Sequence, residues 1–141
     1  MPKIQRAERR QDERQQMEDI KLYINEQPDF VVFRNNIVEG FYAKVDPRTG
    51  KVGQPFYVKA GLGTGSPDLV GLQAMGVTYQ GRWLLLGRFF APEIKVDGGE
   101  PRANQDEWAE RARLYGACVP VLRSVEDAVA ALDRARKGED R

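Results

Sequence analysis

The stretch Gly63-Thr64-Gly65-Ser66-Pro67-Asp68-Leu69 (GTGSPDL) decides how this chain is read. Three glycines, counting Gly61, and one proline deliver a single aspartate to the start of an apolar run. Glycine lets the backbone turn tightly with positive φ, and proline fixes the entry to the next segment. Leu69-Val70-Gly71-Leu72 then reads as a strand. Asp68 is therefore either an ordinary turn acid or a carboxylate aimed from the first residue of a strand. A phosphate cradle fits poorly. The glycine turns of dinucleotide-binding and P-loop proteins open into a helix, whereas a β-patterned run comes next here, without Gly-Lys-Ser/Thr. No nucleotide cofactor is expected.

Further along, Glu93-Ile94-Lys95 closes a long β-patterned region. Alternate strand residues share a face, so Glu93 and Lys95 lie on one side and Ile94 on the other. An acid that begins a neighbouring strand can meet that pair. Two carboxylates with a main-chain carbonyl form a hard oxygen site suited to Mg²⁺, with Mn²⁺ substituting. A lysine beside them can orient or deprotonate a water and stabilise charge on a phosphate. The plainer alternative is a solvated Glu93/Lys95 pair on a sheet face, worth little to stability.

Composition narrows the chemistry. The 141 residues contain no histidine, which removes Ser-His-Asp and Cys-His catalysis, histidine-ligated zinc and a histidine general base. One cysteine, Cys118, rules out an internal disulfide and sits in an apolar run, where a buried, inert thiol is expected. No apolar run approaches the ~20 residues of a spanning helix, and the polar opening MPKIQRAERRQDERQQ carries no apolar core of a secretory leader. A soluble cytoplasmic protein is expected, in a host cytoplasm if it is phage-encoded. A net charge of +1 neither demands nor forbids a nucleic-acid partner.

Outward from the glycine loop, the chain reads as one α/β domain over residues 1–141, with helices on a mixed sheet. Residues 4 to 26 lack Gly and Pro and place Met17, Ile20 and Ile24 on one helical stripe, flanked by Tyr23. Phe30-Val31-Val32-Phe33 is a strand running into Arg34-Asn35-Asn36. Asp46-Pro47-Arg48-Thr49-Gly50 is turn chemistry, giving a hairpin over residues 41 to 58. Gly76 and Gly81 are expected to bracket another turn, and Pro92 to mark an edge or bulge. Residues 101 to 115 are helical, Cys118 to Leu122 form a short strand, and Ser124 caps a last helix that buries Val125, Ala128, Val129 and Leu132. Trp83 and Trp108 are expected in the core. Arg6, Arg9 and Arg10 fall at helical spacing and either track a DNA backbone or belong to a solvated helix with Glu8, Asp12 and Glu13 interleaved.

Pro67-Asp68 followed by Glu93-Ile94-Lys95 resembles the PD-(D/E)xK nuclease signature. The surroundings resemble its VRR-NUC (virus-type replication-repair nuclease) branch. They are a first helix with a glutamate, Arg34-Asn35-Asn36, Gly65-Ser66-Pro67-Asp68, Gln105 near a helix start, Gly116 and Ser124. The likeness spans about residues 13 to 132. It implies a restriction-endonuclease-like fold and a Mg²⁺-dependent endonuclease. Asp68, Glu93 and the Ile94 carbonyl would be metal ligands, Lys95 would position the attacking water, and Gln105 would stand close to the lysine. The family's helix glutamate is Glu13, which shares the stripe of Met17, Ile20 and Ile24, or Glu18, which lies nearer Arg34. Arg34, Asn35, Asn36 and Ser66, with Arg6 and Arg10, would contact DNA. For Arg34, Asn35 and Asn36 a buried strand-end network is the equal alternative. The resemblance also implies a homodimer acting on four-way (Holliday) junctions. A nuclease for flaps, nicks or single strands and a non-catalytic DNA-binding module are the alternatives. Two features depart from the family pattern: a long hairpin over residues 44 to 59, as a dimer contact or DNA-engaging arm, and Pro92 directly before Glu93.

Overall fold

Ile20 and Ile24 carry one helix onto a sheet, and that contact organises everything else. The computed structural model describes residues 3–96 and 98–141, with side chains from residue 11 onward. Arg6, Arg9 and Arg10 therefore lie outside the described side chains. α1 (Lys3–Glu26) presents Ile20 and Ile24 to the core, with Met17 and Tyr23 packed beside them, as its stripe requires. Pro28 follows the helix, and β1 (Phe30–Arg34) begins at once. Asn25, in the last turn of α1, accepts from the Val32 amide at 2.8 Å and donates to the Val32 carbonyl at 3.1 Å. Its side-chain amide thus pairs the outer edge of β1 as a neighbouring strand would.

β2 (Val38–Tyr42) and β3 (Phe56–Ala60) form the expected hairpin as a separate antiparallel pair. Asp46 closes its tip by accepting from the amides of Arg48 and Thr49. β4 (Leu69–Tyr79) and β5 (Arg82–Phe90) are longer than their sequences announced, pairing antiparallel from Gly71↔Phe90 to Tyr79↔Arg82. Gly76 lies inside β4, not at a turn, because the Trp83 indole occupies the place of its missing side chain. The reversal is made by Gln80 and Gly81, both at positive φ, the pattern of a tight two-residue hairpin turn.

Sheet order is β1-β4-β5, all antiparallel. β6 (Glu93–Ile94) continues the line of β5 after a break at Ala91-Pro92 and pairs in parallel with β7 (Val121–Leu122). The amides of Ala91, Glu93 and Lys95 donate to the carbonyls of Cys118, Pro120 and Leu122, each at 2.9 Å. Pro92 falls between two of these donors, so its missing N–H costs that ladder nothing. α2 (Ala103–Leu114) and α3 (Val125–Arg136) complete the order. Ser124 caps α3 by accepting from Asp127 N at 3.1 Å.

The pleat sorts the strands into two cores. Phe30, Val32, Leu69, Phe90, Ile94 and Leu122 face α1 and α3, whereas Val70, Phe89, Ala91 and Val119 face α2. The architecture is mixed α/β, a sheet with helices on both faces. Cys118 is buried in the first core, where desolvation pushes its thiol up to about 11, an inert state. Two expected core residues lie elsewhere. Trp83 is mostly exposed because α2 stops short of it, and Val129 is exposed because α3 seats Ala128, Ala131, Leu132 and Ala135 instead. Trp108 is half-buried against Phe89. Arg136, at the end of α3, donates to both carboxylate oxygens of Asp29 at 2.8 and 2.9 Å and lies over the Phe30 ring. That guanidinium holds the Asp29 carboxyl below the usual range. Among the described residues no helix is long and apolar enough to cross a membrane.

Candidate active site

The glycine loop is built to dock. Gly65 has φ +86°, and a Cβ there would collide with the Asn104 carbonyl. Only glycine lets this loop lie against the first turn of α2. Ser66 is buried, its hydroxyl donating to the Gly63 carbonyl at 2.7 Å and accepting from the Asn35 amide at 2.8 Å. Asn35 also donates to the Pro67 carbonyl at 2.8 Å, and its backbone N–H donates to the Asp68 carbonyl at 2.8 Å. Asn35 and Ser66 thus spend their donors on bracing the approach to Asp68. That is the strand-end network, not a surface left open to a phosphate. Asn36 is exposed beside the loop.

Asp68 then leaves the loop at the head of β4. The Ile94 amide donates to its carboxylate, and Lys95 and Arg34 attract it. The carboxylate is open to solvent through a cleft, yet crowding by surrounding protein raises its pKa above the usual range. Because N–H and C=O of one strand residue leave on the same side, the Ile94 carbonyl also leaves toward Asp68. Glu93 is buried behind them. Its Oε1 accepts from Gln105 Nε2 at 2.5 Å and meets Lys95 Nζ at 3.2 Å. Desolvation first, and then the Asp68 charge, raise the Glu93 pKa against the pull of Lys95 and Gln105.

Gln105 is oriented from both ends. Its Oε1 accepts from the Arg102 amide at 2.8 Å, which leaves the NH₂ for Glu93. The helix start and the acid are therefore joined through a single side chain, half of a capping box put to a second use.

Glu13, Arg34, Asp68, Ile94 and Lys95 line one cleft of about 340 Å³ together with Arg14, Met17 and Val96. Glu18 does not line it. Glu18 stands 3.8 Å from Arg34 and 3.5 Å from Lys21, so it serves as a counter-ion to the cleft's arginine. Arg14 and Val96 are cleft residues that sequence reasoning missed. Arg14 was legible as the neighbour of Glu13 on α1, and Val96 as the residue after the Glu-x-Lys run.

Among the described residues no three His, Cys, Asp or Glu side chains cluster closely enough to hold a metal ion by themselves. The donor set is two mutually repelling carboxylates and one carbonyl, with Glu13 on the cleft wall. That fits Mg²⁺, which keeps several waters and takes one or two carboxylates together with substrate phosphates. A cation there would relieve the repulsion that now raises Glu93. Compared with known proteins, the chain matches no family model and no curated protein.

Proposed function

We propose that this chain is a metal-dependent DNA endonuclease of the VRR-NUC type. The observation that carries the reading is the meeting of Asp68, Glu93 and Lys95 beside the cleft, with Gln105 fixed on Glu93. Asp68, Glu93 and the Ile94 carbonyl would hold Mg²⁺ or Mn²⁺, with Glu13 on the opposite wall. A divalent ion held there would supply Lewis acidity toward a phosphodiester and acidify a bound water. The chain's own residues do the rest. Lys95, now anchored on Glu93, is placed to orient a water or steady a phosphate oxygen. Arg34 brings positive charge to the cleft rim. Gln105 keeps Glu93 in place while charge changes around it. Junction resolution by a homodimer is the proposed task, one copy for each of two symmetric cuts.

The test is cleavage of an end-labelled four-way junction, a flap and a linear duplex, each with Mg²⁺, Mn²⁺ or EDTA. Paired nicks on the junction, lost in EDTA and reduced at least about 100-fold in Asp68→Asn and Lys95→Ala, are the expected result. Cutting of flap or duplex alone would keep the chemistry and remove the resolvase. Binding without cutting in either metal would leave a DNA-binding module. A thermal melt adds a readout independent of activity. Mg²⁺ raises the melting temperature of the wild type and not that of Asp68→Asn.

A further inference from the structure

The face of the central sheet that α2 covers near the site is bare at its other end. Register places Val31 and Phe33 of β1, Leu72, Ala74, Gly76 and Thr78 of β4, and Trp83, Leu85 and Gly87 of β5 on that same side. None of these nine strand positions is charged. Val31 is 37% exposed, Leu72 48%, Phe33 62%, Leu85 63% and Trp83 68%. At those fractions the five side chains show roughly 500 Å² of apolar surface, near the top of what a lone soluble chain presents in one patch. The figure also approaches the ~800 Å² that each partner buries in a standard interface.

The shape of the patch selects the occupant. Trp83 lies across Gly76, with its Nε1 3.0 Å from where a Cβ would stand, and Leu72 packs over Gly87. The large side chains are thus laid flat on the glycines, and the surface has no groove for a peptide or helix. It carries no basic residue to hold a lipid headgroup or a nucleic-acid backbone. A flat, uncharged sheet face is matched by another of its own kind, packed at the usual ~10 Å sheet separation. A two-fold axis through the patch sets each copy's strands against the same strands of the other.

We infer that this face is a homodimer interface, two copies packing sheet on sheet through Phe33, Leu72, Trp83 and Leu85. The two-copy arrangement is shared with the nuclease reading, but the inference rests on the sheet alone. A monomer that cuts DNA would sink this inference and not that reading. A dimer that cuts nothing would do the reverse.

The experiment is sedimentation of the full chain across a wide concentration range, for wild type, Trp83→Glu, Leu85→Lys and Tyr79→Lys. Tyr79 is exposed on the opposite face of the same hairpin, so its variant is the control. Wild type and Tyr79→Lys are expected as dimers, and each face variant is expected to weaken association at least about 100-fold. Circular-dichroism melts show whether the variants still fold. Dilution of wild type should also red-shift tryptophan emission as Trp83 is uncovered, with Leu85→Lys already red-shifted at high concentration. A wild type that is monomeric throughout overturns the inference and leaves the face to another partner. A dimer that survives both face variants overturns it as well.

Discussion

The two ends of one sheet face invert the usual distribution of residues. At one end Asp68, Glu93 and Lys95 stand against the start of α2, with Glu93 buried and both acids above the usual carboxylate range. At the other end Leu72, Trp83 and Leu85 face water. Charge is crowded into protein and apolar surface is left outside, and neither helps an isolated chain to fold. Between the two ends lies ordinary core, where Val70, Phe89 and Ala91 pack under Ala109 and Trp108. A sheet face that costs stability at both ends is shaped by what it binds there.

Substitutions separate the two ends by the size and sign of their effects. The largest is expected at the loop that docks the charged end. Gly65→Ala must bear both a positive φ and a Cβ against the Asn104 carbonyl, so it should lose about 3 kcal/mol. Its melting temperature should fall by about 9 °C, and a fall below a third of that would show that the loop yields. Next is Lys95→Ala, which leaves Glu93 and Asp68 with one close cation fewer and should cost about 2 kcal/mol in urea unfolding.

Glu93→Gln should act in the opposite direction, a gain of up to about 1 kcal/mol measured by the same unfolding, because the neutral amide escapes desolvation and Asp68. Its pH dependence comes from the raised pKa. The folded carboxyl takes up a proton more readily than the unfolded one, so its contribution to stability is fully present below the ordinary carboxylate range. That contribution is lost as pH rises through the folded value. The wild type should therefore melt higher at about pH 5 than at pH 7, and Glu93→Gln should flatten that slope. Asp29 and Asp140, whose pKa values are lowered, lose their contributions only at more acid pH and do not obscure it. The smallest effect belongs to the bare end. Leu85→Lys should change the unfolding free energy of the dissociated chain by no more than about 0.5 kcal/mol. A larger loss there would mean that the bare end is core after all, and the contrast between the ends would fail.

Local chemistry was legible in the sequence and long-range choice was not. The Ile20/Ile24 stripe, the Asp46 turn and the Ser124 cap are each decided within a few residues, so neighbouring letters suffice to read them. Gly76 misled because a glycine in an apolar run has two meanings, a reversal or a seat for a neighbour's ring. Only the cross-strand register with Trp83 distinguishes them. Trp83 and Val129 were assigned to the core by their chemistry, but burial depends on where α2 ends and how α3 rotates. At the site, the spacing of Asp68, Glu93 and Lys95 pointed to a shared strand end, and the placement of Gln105 came only with the family likeness. The bracing role of Asn35 and Ser66 could not be read, because it depends on the carbonyls of Gly63 and Pro67 being turned inward.

The clasp of Arg136 on Asp29 has a consequence for how the chain is made. The two residues are 107 positions apart, and α1 finds part of its cover only in α3. Contacts of that span are slow to close. At ribosomal speeds of ~5–20 residues per second, about 5–20 s separate the emergence of Asp29 from that of Arg136. For that interval Ile20 and Ile24 are an uncovered apolar stripe on a growing chain, the kind of segment that chaperones hold and proteases cut.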